Sequence, residues 1–167
     1  MQAAGNTEQL TERELTITRI FDAPRELVFA MWTNPVHLAQ WWGPKDFTNP
    51  VCEVDARSGG VFRIVMRAPD GREHPMKATF VEIVPSERLV FTSVAVDADG
   101  DPLLDGLTTV TFDEWNGKTT LTVHTRATAL VPLANRMLEG MNAGWTQSID
   151  RLEALVSEKS VRPQPGR

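Results

Sequence analysis

The sequence predicts an α+β domain in which a curved antiparallel sheet of seven strands meets one long C-terminal helix. Three observations lead there. Seven segments read as strands from alternating or β-branched and aromatic residues, and the last six are separated only by turn signals. Two short helices opened by proline stand between the first strand and the rest. From Leu133 onward, apolar residues fall at 134, 137, 138, 141, 145, 149, 152, 155 and 156, the three-and-four spacing of an amphipathic helix.

The first strand is Leu15 to Phe21, where Leu15, Ile17 and Arg19 alternate with Thr16, Thr18 and Ile20. Asp22-Ala23-Pro24 ends it. Asp22 is suited to accept from free helix N–H groups, and a proline in a first turn loses no needed donor. Leu27, Val28, Met31 and Trp32 then give 24–33 one apolar face. Asn34-Pro35 repeats the device for a second helix, whose apolar face is Leu38, Trp41 and Trp42. Gly43-Pro44 stops that helix, because glycine accepts a left-handed cap and proline cannot continue the turn.

The remaining strands are Val51 to Asp55, Val61 to Arg67, His74 to Val84, Leu89 to Val96, Leu107 to Trp115 and Lys118 to Arg126. Pro69-Asp70-Gly71 and Pro85-Ser86-Glu87 are turns, residues 97–106 form an acidic loop, and Asn116-Gly117 is a favoured two-residue hairpin connection. The last helix starts near Pro132 and runs about 25 residues, ~37 Å at 1.5 Å per residue. Residues 1–12 and 160–167 read as tails around a domain at 13–159.

Composition bounds the function. Of 167 residues, 41% are apolar, and 17 basic against 22 acidic side chains leave a net charge of −5. That sign gives no general attraction to nucleic acid or anionic membranes. The single cysteine, Cys52, excludes an internal disulfide, and no apolar run approaches a membrane span. Residues 1–14 lack the apolar core of a signal peptide. A soluble, cytoplasmic domain is the expectation.

A curved sheet and a straight helix do not meet along their whole length, so the space between them is either filled or left as a cavity. Trp41, Trp42, Phe62, Met66, Phe91, Phe112, Met137, Met141 and Trp145 are the large residues available to border it. Phe47, on the loop after the second helix, and Ile64, beside Phe62 and Met66, complete the candidate binding set. Adjacent helical residues point about 100° apart, so Trp41 and Trp42 divide between core and either a loop or a pocket mouth. Met137, Met141 and Trp145 form a stripe suited to a ligand wall or to a loosely fitted core. Gly140 and Gly144 weaken the helix there by up to ~1 kcal/mol each relative to alanine. They imply close approach to the sheet, room above a cavity, or a bend.

Catalytic and metal signatures are sparse. His37, His74 and His124 are far apart with no paired ligand motif, and His37 is expected on a solvated helix face. Asp97-x-Asp99-x-Asp101 opens like a calcium loop, but Pro102 and Thr108 stand where glycine and glutamate are required. No catalytic residue, metal ligand or cofactor is assigned. Arg63, Arg67, Arg72, His74 and Lys77 gather on one hairpin, reading as a solvated face, with one inward arginine on a ligand carboxylate as the alternative.

The chain resembles a known family in Ala23-Pro24, Trp41-Trp42-Gly43-Pro44, Pro69-Asp70-Gly71, the run Pro85-Ser86-Glu87-Arg88-Leu89-Val90-Phe91, and Gly144-Trp145 ahead of Ile149 and Leu152. Together, over residues 13–158, these are similar to homologues of the heat-shock-protein-90 ATPase activator, within the START-like (SRPBCC) superfamily. The resemblance implies a helix-grip fold and a cavity for a small hydrophobic molecule. Two other roles stay open. One is an enzyme of the cyclase or aromatase type, with Glu53, Glu82, Asp105, His74 and His124 as available titratable groups. The other is a chaperone-associated or homodimeric interaction module.

Overall fold

A computed structural model describes residues 9–160. The tails expected at 1–12 and 160–167 lie largely outside that range. The elements run β1 (Glu12–Phe21), α1 (Arg25–Thr33), α2 (Pro35–Trp41), β2 (Thr48–Val54), β3 (Val61–Arg67), β4 (Glu73–Val84), β5 (Arg88–Val96), β6 (Pro102–Trp115), β7 (Lys118–Ala129), α3 (Ala134–Glu139) and α4 (Met141–Ser160). The seven strands form one sheet in the order β1-β7-β6-β5-β4-β3-β2, every neighbouring pair antiparallel. This is the helix-grip arrangement.

Alternation decides which residues face the helices. On β3 Phe62 and Ile64 are buried while Arg63 is exposed; on β7 Leu121, Val123 and Thr125 are buried. Those inward rows pack with Val28, Met31 and Trp32 of α1, Leu38 and Trp41 of α2, and Ile149, Leu152, Leu155 and Val156 of α4 into the main core. On β1 Ile17 packs against the same core, and Arg19 reaches α4, its Nη1 donating to Asp150 at 2.9 Å and Glu153 at 2.8 Å.

The two short helices are fastened by different means. Asn34 Oδ1 accepts from Val36 N at 2.9 Å and Pro35 occupies the first helical position, as the sequence suggests. At α1 the flanking residues supply no side-chain cap. Instead of Asp22, it is Glu114 Oε1, from the end of β6, that accepts from Arg25 N at 2.9 Å. At the other end of α1 the carbonyl of Met31 would take its helical bond from residue 35, which is proline and has no N–H. Trp41 Nε1 fills that role, donating to Met31 O at 2.8 Å.

Several strand boundaries differ from the sequence reading: β1 begins at Glu12 rather than Leu15, β4 and β5 each begin one residue early, and β2, β6 and β7 are longer than expected. β2 begins at Thr48 and contains Pro50, tolerated because β2 is an edge strand with a register shift between Thr48 and Val51. The acidic loop shrinks to 97–101, since β6 starts at Pro102 and pairs Leu104 with both Ala95 and Ala129. β7 runs on to Ala129 because β1 also pairs with it, from Glu12 opposite Thr128. Asn116 and Gly117 have φ values of 54° and 78°, the paired left-handed geometry that their hairpin requires.

The single C-terminal helix of about 25 residues is a correction. It is two helices, α3 of 6 residues and α4 of 20, parted at Gly140. Gly140 keeps a right-handed backbone (φ −89°, ψ −1°), and its N–H returns to Met137 O at 3.2 Å. The interruption lets α3 follow a different support. Ala134 and Leu138 join Ala129 in a second, smaller apolar cluster, separate from the core beneath α4. Asn135 of α3 also binds the start of the described chain: Thr11 N and Thr11 Oγ1 donate to its Oδ1 at 3.0 and 2.8 Å, and its Nδ2 donates to Gln9 O at 2.9 Å.

Candidate functional site

The two apolar clusters do not merge. Between them, under α3 and the start of α4, lies a cavity of about 410 Å³. Its cause is visible along the inward rows of the sheet. Toward one end these rows carry Phe112, Val110, Leu121 and Val123; toward the other they carry Thr108, Gly106, Thr125 and Ala127 on β6 and β7, with Ser93 and Ala95 on β5. Large side chains fill the first end, and small ones leave the second open.

Helices and one loop close the opposite side. Met137 and Leu138 of α3 and Met141, Gly144 and Trp145 of α4 form one wall. Trp42, Gly43, Pro44 and Phe47 form the next, with Met66, His74 and Met76 from β3 and β4. The segment after α2 is held to α4 by polar bonds. Gly43 N donates to Ser148 Oγ at 3.1 Å, and Lys45 N donates to Gln147 Oε1 at 3.0 Å. Arg151 Nη1 donates to the carbonyls of Trp42, Gly43 and Pro44 at 3.1, 2.9 and 3.0 Å, and Nη2 donates to Gln40 O at 3.1 Å. One guanidinium therefore gathers the end of α2 and the turn behind it. Burial lowers the Arg151 pKa, with Asp46 acting in the opposite direction. Gly43 has a φ of 98°, the left-handed region that favours glycine, and a Cβ there would also push aside the Met66 side chain, 2.9 Å away at Sδ.

The adjacent tryptophans divide as their helical spacing suggests. Trp41 is fully buried (0% exposed), while Trp42 (8%) stands between core and cavity, edge-on to Phe62 at 6.1 Å and to Trp145 at 5.6 Å. Trp145 is half-buried and stacks on Trp32 at 6.4 Å with 20° between the ring planes.

Of the candidate binding residues, Trp42, Phe47, Met66, Phe91, Met137, Met141 and Trp145 border the cavity. Trp41, Phe62, Ile64 and Phe112 do not. All four are buried in the main core, on the filled end of the sheet or behind Trp42, and they are withdrawn from the lining set. The sequence reading missed the small residues of the sheet wall. They were legible in principle, as a change from large to small along the inward positions of β6 and β7, but a search for large apolar groups passes over them.

The polar candidates separate clearly. Arg63, Arg67, Arg72 and Lys77 are exposed, and Arg67 donates to Glu73 at 2.7 Å, so the inward arginine is not found. His74 of the same hairpin does border the cavity, beside Phe47 with ring centroids 6.1 Å apart. Asp105 also borders it, whereas Glu53 is exposed, Glu82 pairs with Arg88, and His124 pairs with Glu14. His37 is not on a solvated face as expected, for its Nδ1 is buried with no partner among the described residues. Burial pushes the half-buried Cys52 thiol up to about 11, aided by the charge of Glu53. Asp97, Asp99 and Asp101 bring carboxylate oxygens within 4.8 Å of one another, and Asp97 Oδ1 accepts from Asp99 N and Asp101 N, both at 2.9 Å. No helix among the described residues is long and apolar enough to cross a membrane.

Residues 22–157 match the family model of the activator of Hsp90 ATPase homolog 1-like proteins. The chain belongs to this family. A crystal structure of a protein from Chromobacterium violaceum shares 31% identity, with 86% of this chain and 96% of that one aligned at a TM-score of 0.74. A Nitrosomonas europaea protein shares 27% identity over 87% and 95% of the two chains, with a TM-score of 0.69. For the fold alone, the AHSA1 protein of Silicibacter pomeroyi aligns over 88% of this chain and 99% of its own, at 23% identity and a TM-score of 0.73. The chain has no match among curated proteins.

Proposed function

We propose that this family member binds a small hydrophobic molecule in the cavity between the sheet and helices α3 and α4. One observation carries the reading: a cavity of about 410 Å³, open to solvent on one side, lies where two apolar clusters fail to meet, walled by Trp42, Phe47, Met66, Met137, Met141 and Trp145. A void of that size is in the range that encloses small ligands, and such sites combine apolar walls with a few polar groups. Methionines on two walls suit guests of varied shape.

The test is ligand capture. Native mass spectrometry of the purified protein, with thermal shift and tryptophan fluorescence against lipids, aromatics and polyketide-like compounds, should find binders. A ligand at a hundred times its Kd stabilises by about 2.7 kcal/mol. In a domain of this length that raises Tm by about 5–10 °C. Trp42 and Trp145 border the cavity, so occupancy should also change their emission. Absence of both a bound mass and any thermal shift across the whole set refutes the proposal.

A further inference from the structure

The walls of the cavity differ in chemistry. The helix side offers Met137, Leu138, Met141 and Trp145, with the indole N–H as their one strong hydrogen-bonding group, and Ser148, whose hydroxyl is already engaged, donating to Gly144 O at 2.9 Å and accepting from Gly43 N at 3.1 Å. The sheet side carries three hydroxyls on adjacent strands: Ser93 on β5, Thr108 on β6 and Thr125 on β7. Thr108 and Thr125 are 2% and 4% exposed, and their Oγ1 atoms are 2.8 Å apart. That contact uses one of the pair's two O–H donors and leaves the other, with spare lone pairs on both oxygens, for a third group. Gly106, opposite both Ser93 and Ala127 in the sheet, keeps this patch open: a Cβ there would lie 3.1 Å from Ser93 Oγ.

Charge is the second asymmetry. Among the described residues no lysine or arginine borders the cavity, and the nearby Arg151 guanidinium is already engaged with four carbonyls. Among the described residues His74 on β4 is the one ionisable side chain on the inner face, because Asp105, exposed between inward Leu104 and Gly106 of β6, holds its carboxylate on the outer face. An anionic guest would give up its hydration with no permanent cation to receive it.

Resting on the ligand-binding reading above, we infer that the guest is a neutral, largely apolar molecule bearing a hydroxyl or carbonyl oxygen. That oxygen meets Ser93, Thr108 and Thr125, while the apolar body faces Met137, Met141 and Trp145.

Three probes of one shape test this: naphthalene, 2-naphthol and 2-naphthoate, titrated at neutral pH by tryptophan fluorescence. The wild-type protein should bind 2-naphthol about three- to tenfold more tightly than naphthalene, the range of one net hydrogen bond. It should bind 2-naphthoate on the order of tenfold more weakly than 2-naphthol, or worse. In the double variant Thr108→Val and Thr125→Val the naphthol advantage should shrink toward one, with naphthalene affinity retained. Replacing both partners of a buried hydrogen bond by groups of the same shape is nearly neutral for folding, and naphthalene binding reports that the cavity survives. Ser93→Ala is the second variant, expected to reduce the same ratio. Equal binding of naphthol and naphthalene, tighter binding of naphthoate, or a naphthol advantage unchanged in both variants overturns the inference and leaves the ligand-binding reading standing. Failure of all three probes to bind also overturns the inference, while the ligand-binding reading falls only if the wider set of lipids, aromatics and polyketide-like compounds fails as well.

Discussion

Trp41 and Trp32 offer a matched pair of substitutions. Both indoles are buried, at 0% and 3% exposure, and their rings meet edge to face at 4.7 Å. They differ in one bond. Trp41 Nε1 donates to Met31 O, the carbonyl whose helical donor is missing because residue 35 is proline. Trp32 Nε1 is buried with no partner among the described residues. Changing either to phenylalanine removes a similar part of the ring and leaves a similar void. Trp41→Phe also strands the Met31 carbonyl, at about 1–3 kcal/mol, whereas Trp32→Phe removes a donor that was already unsatisfied. Trp41→Phe should therefore be the less stable by about 1–3 kcal/mol. With an m-value of about 2 kcal/mol/M, the urea midpoints should differ by about 0.5–1.5 M at equal slopes, followed by far-UV circular dichroism. Equal midpoints, or a lower one for Trp32→Phe, would refute the assignment of the indole as a substitute helix donor.

Three further outcomes follow from the same geometry. Trp145→Ala should cost less than the ~3–5 kcal/mol of a filled-core tryptophan, because the ring already borders empty space; urea denaturation measures this, and a full core-sized loss would mean the indole acts as filler. Arg151→Met should destabilise by about 2–3 kcal/mol, since a cationic donor to several carbonyls is lost, and Arg151→Lys should recover only part of it because an ammonium cannot reproduce the planar fork. The Cys52 thiol, raised by burial to about 11, is almost wholly protonated near pH 8. It should therefore react slowly with Ellman's reagent in the native protein and rapidly in urea, and rapid native labelling would contradict its burial.

Much of the fold was written in local signals. Asn34 and Pro35 announced α2, Asn116-Gly117 announced the last hairpin, and period-two alternation gave the inward row of β3. What escaped the sequence depended on partners far along the chain. Glu114 caps α1 from 89 residues away, and no local pattern distinguishes it from Asp22. β6 and β7 overran their expected ends because each strand's extent is set by its neighbours' registers. At the cavity, the aromatic and methionine walls were legible, since such residues stand out. Trp41, Phe62, Ile64 and Phe112 stand out equally, and only their position along the sheet separates core from wall. Gly140 was noted as a bend or as room above a cavity, and the break it marks became clear once α3 was seen to rest on its own apolar cluster.

The separation of the two clusters has an evolutionary consequence. Cohesion resides mainly in the block beneath α4, while the hollow is shaped by short, inward side chains at the far end of the same strands. Substitutions that reshape the hollow end touch few of the contacts that keep the polypeptide folded, so under the proposed function descendants of one ancestor could exchange cargo without first acquiring a stabilising mutation.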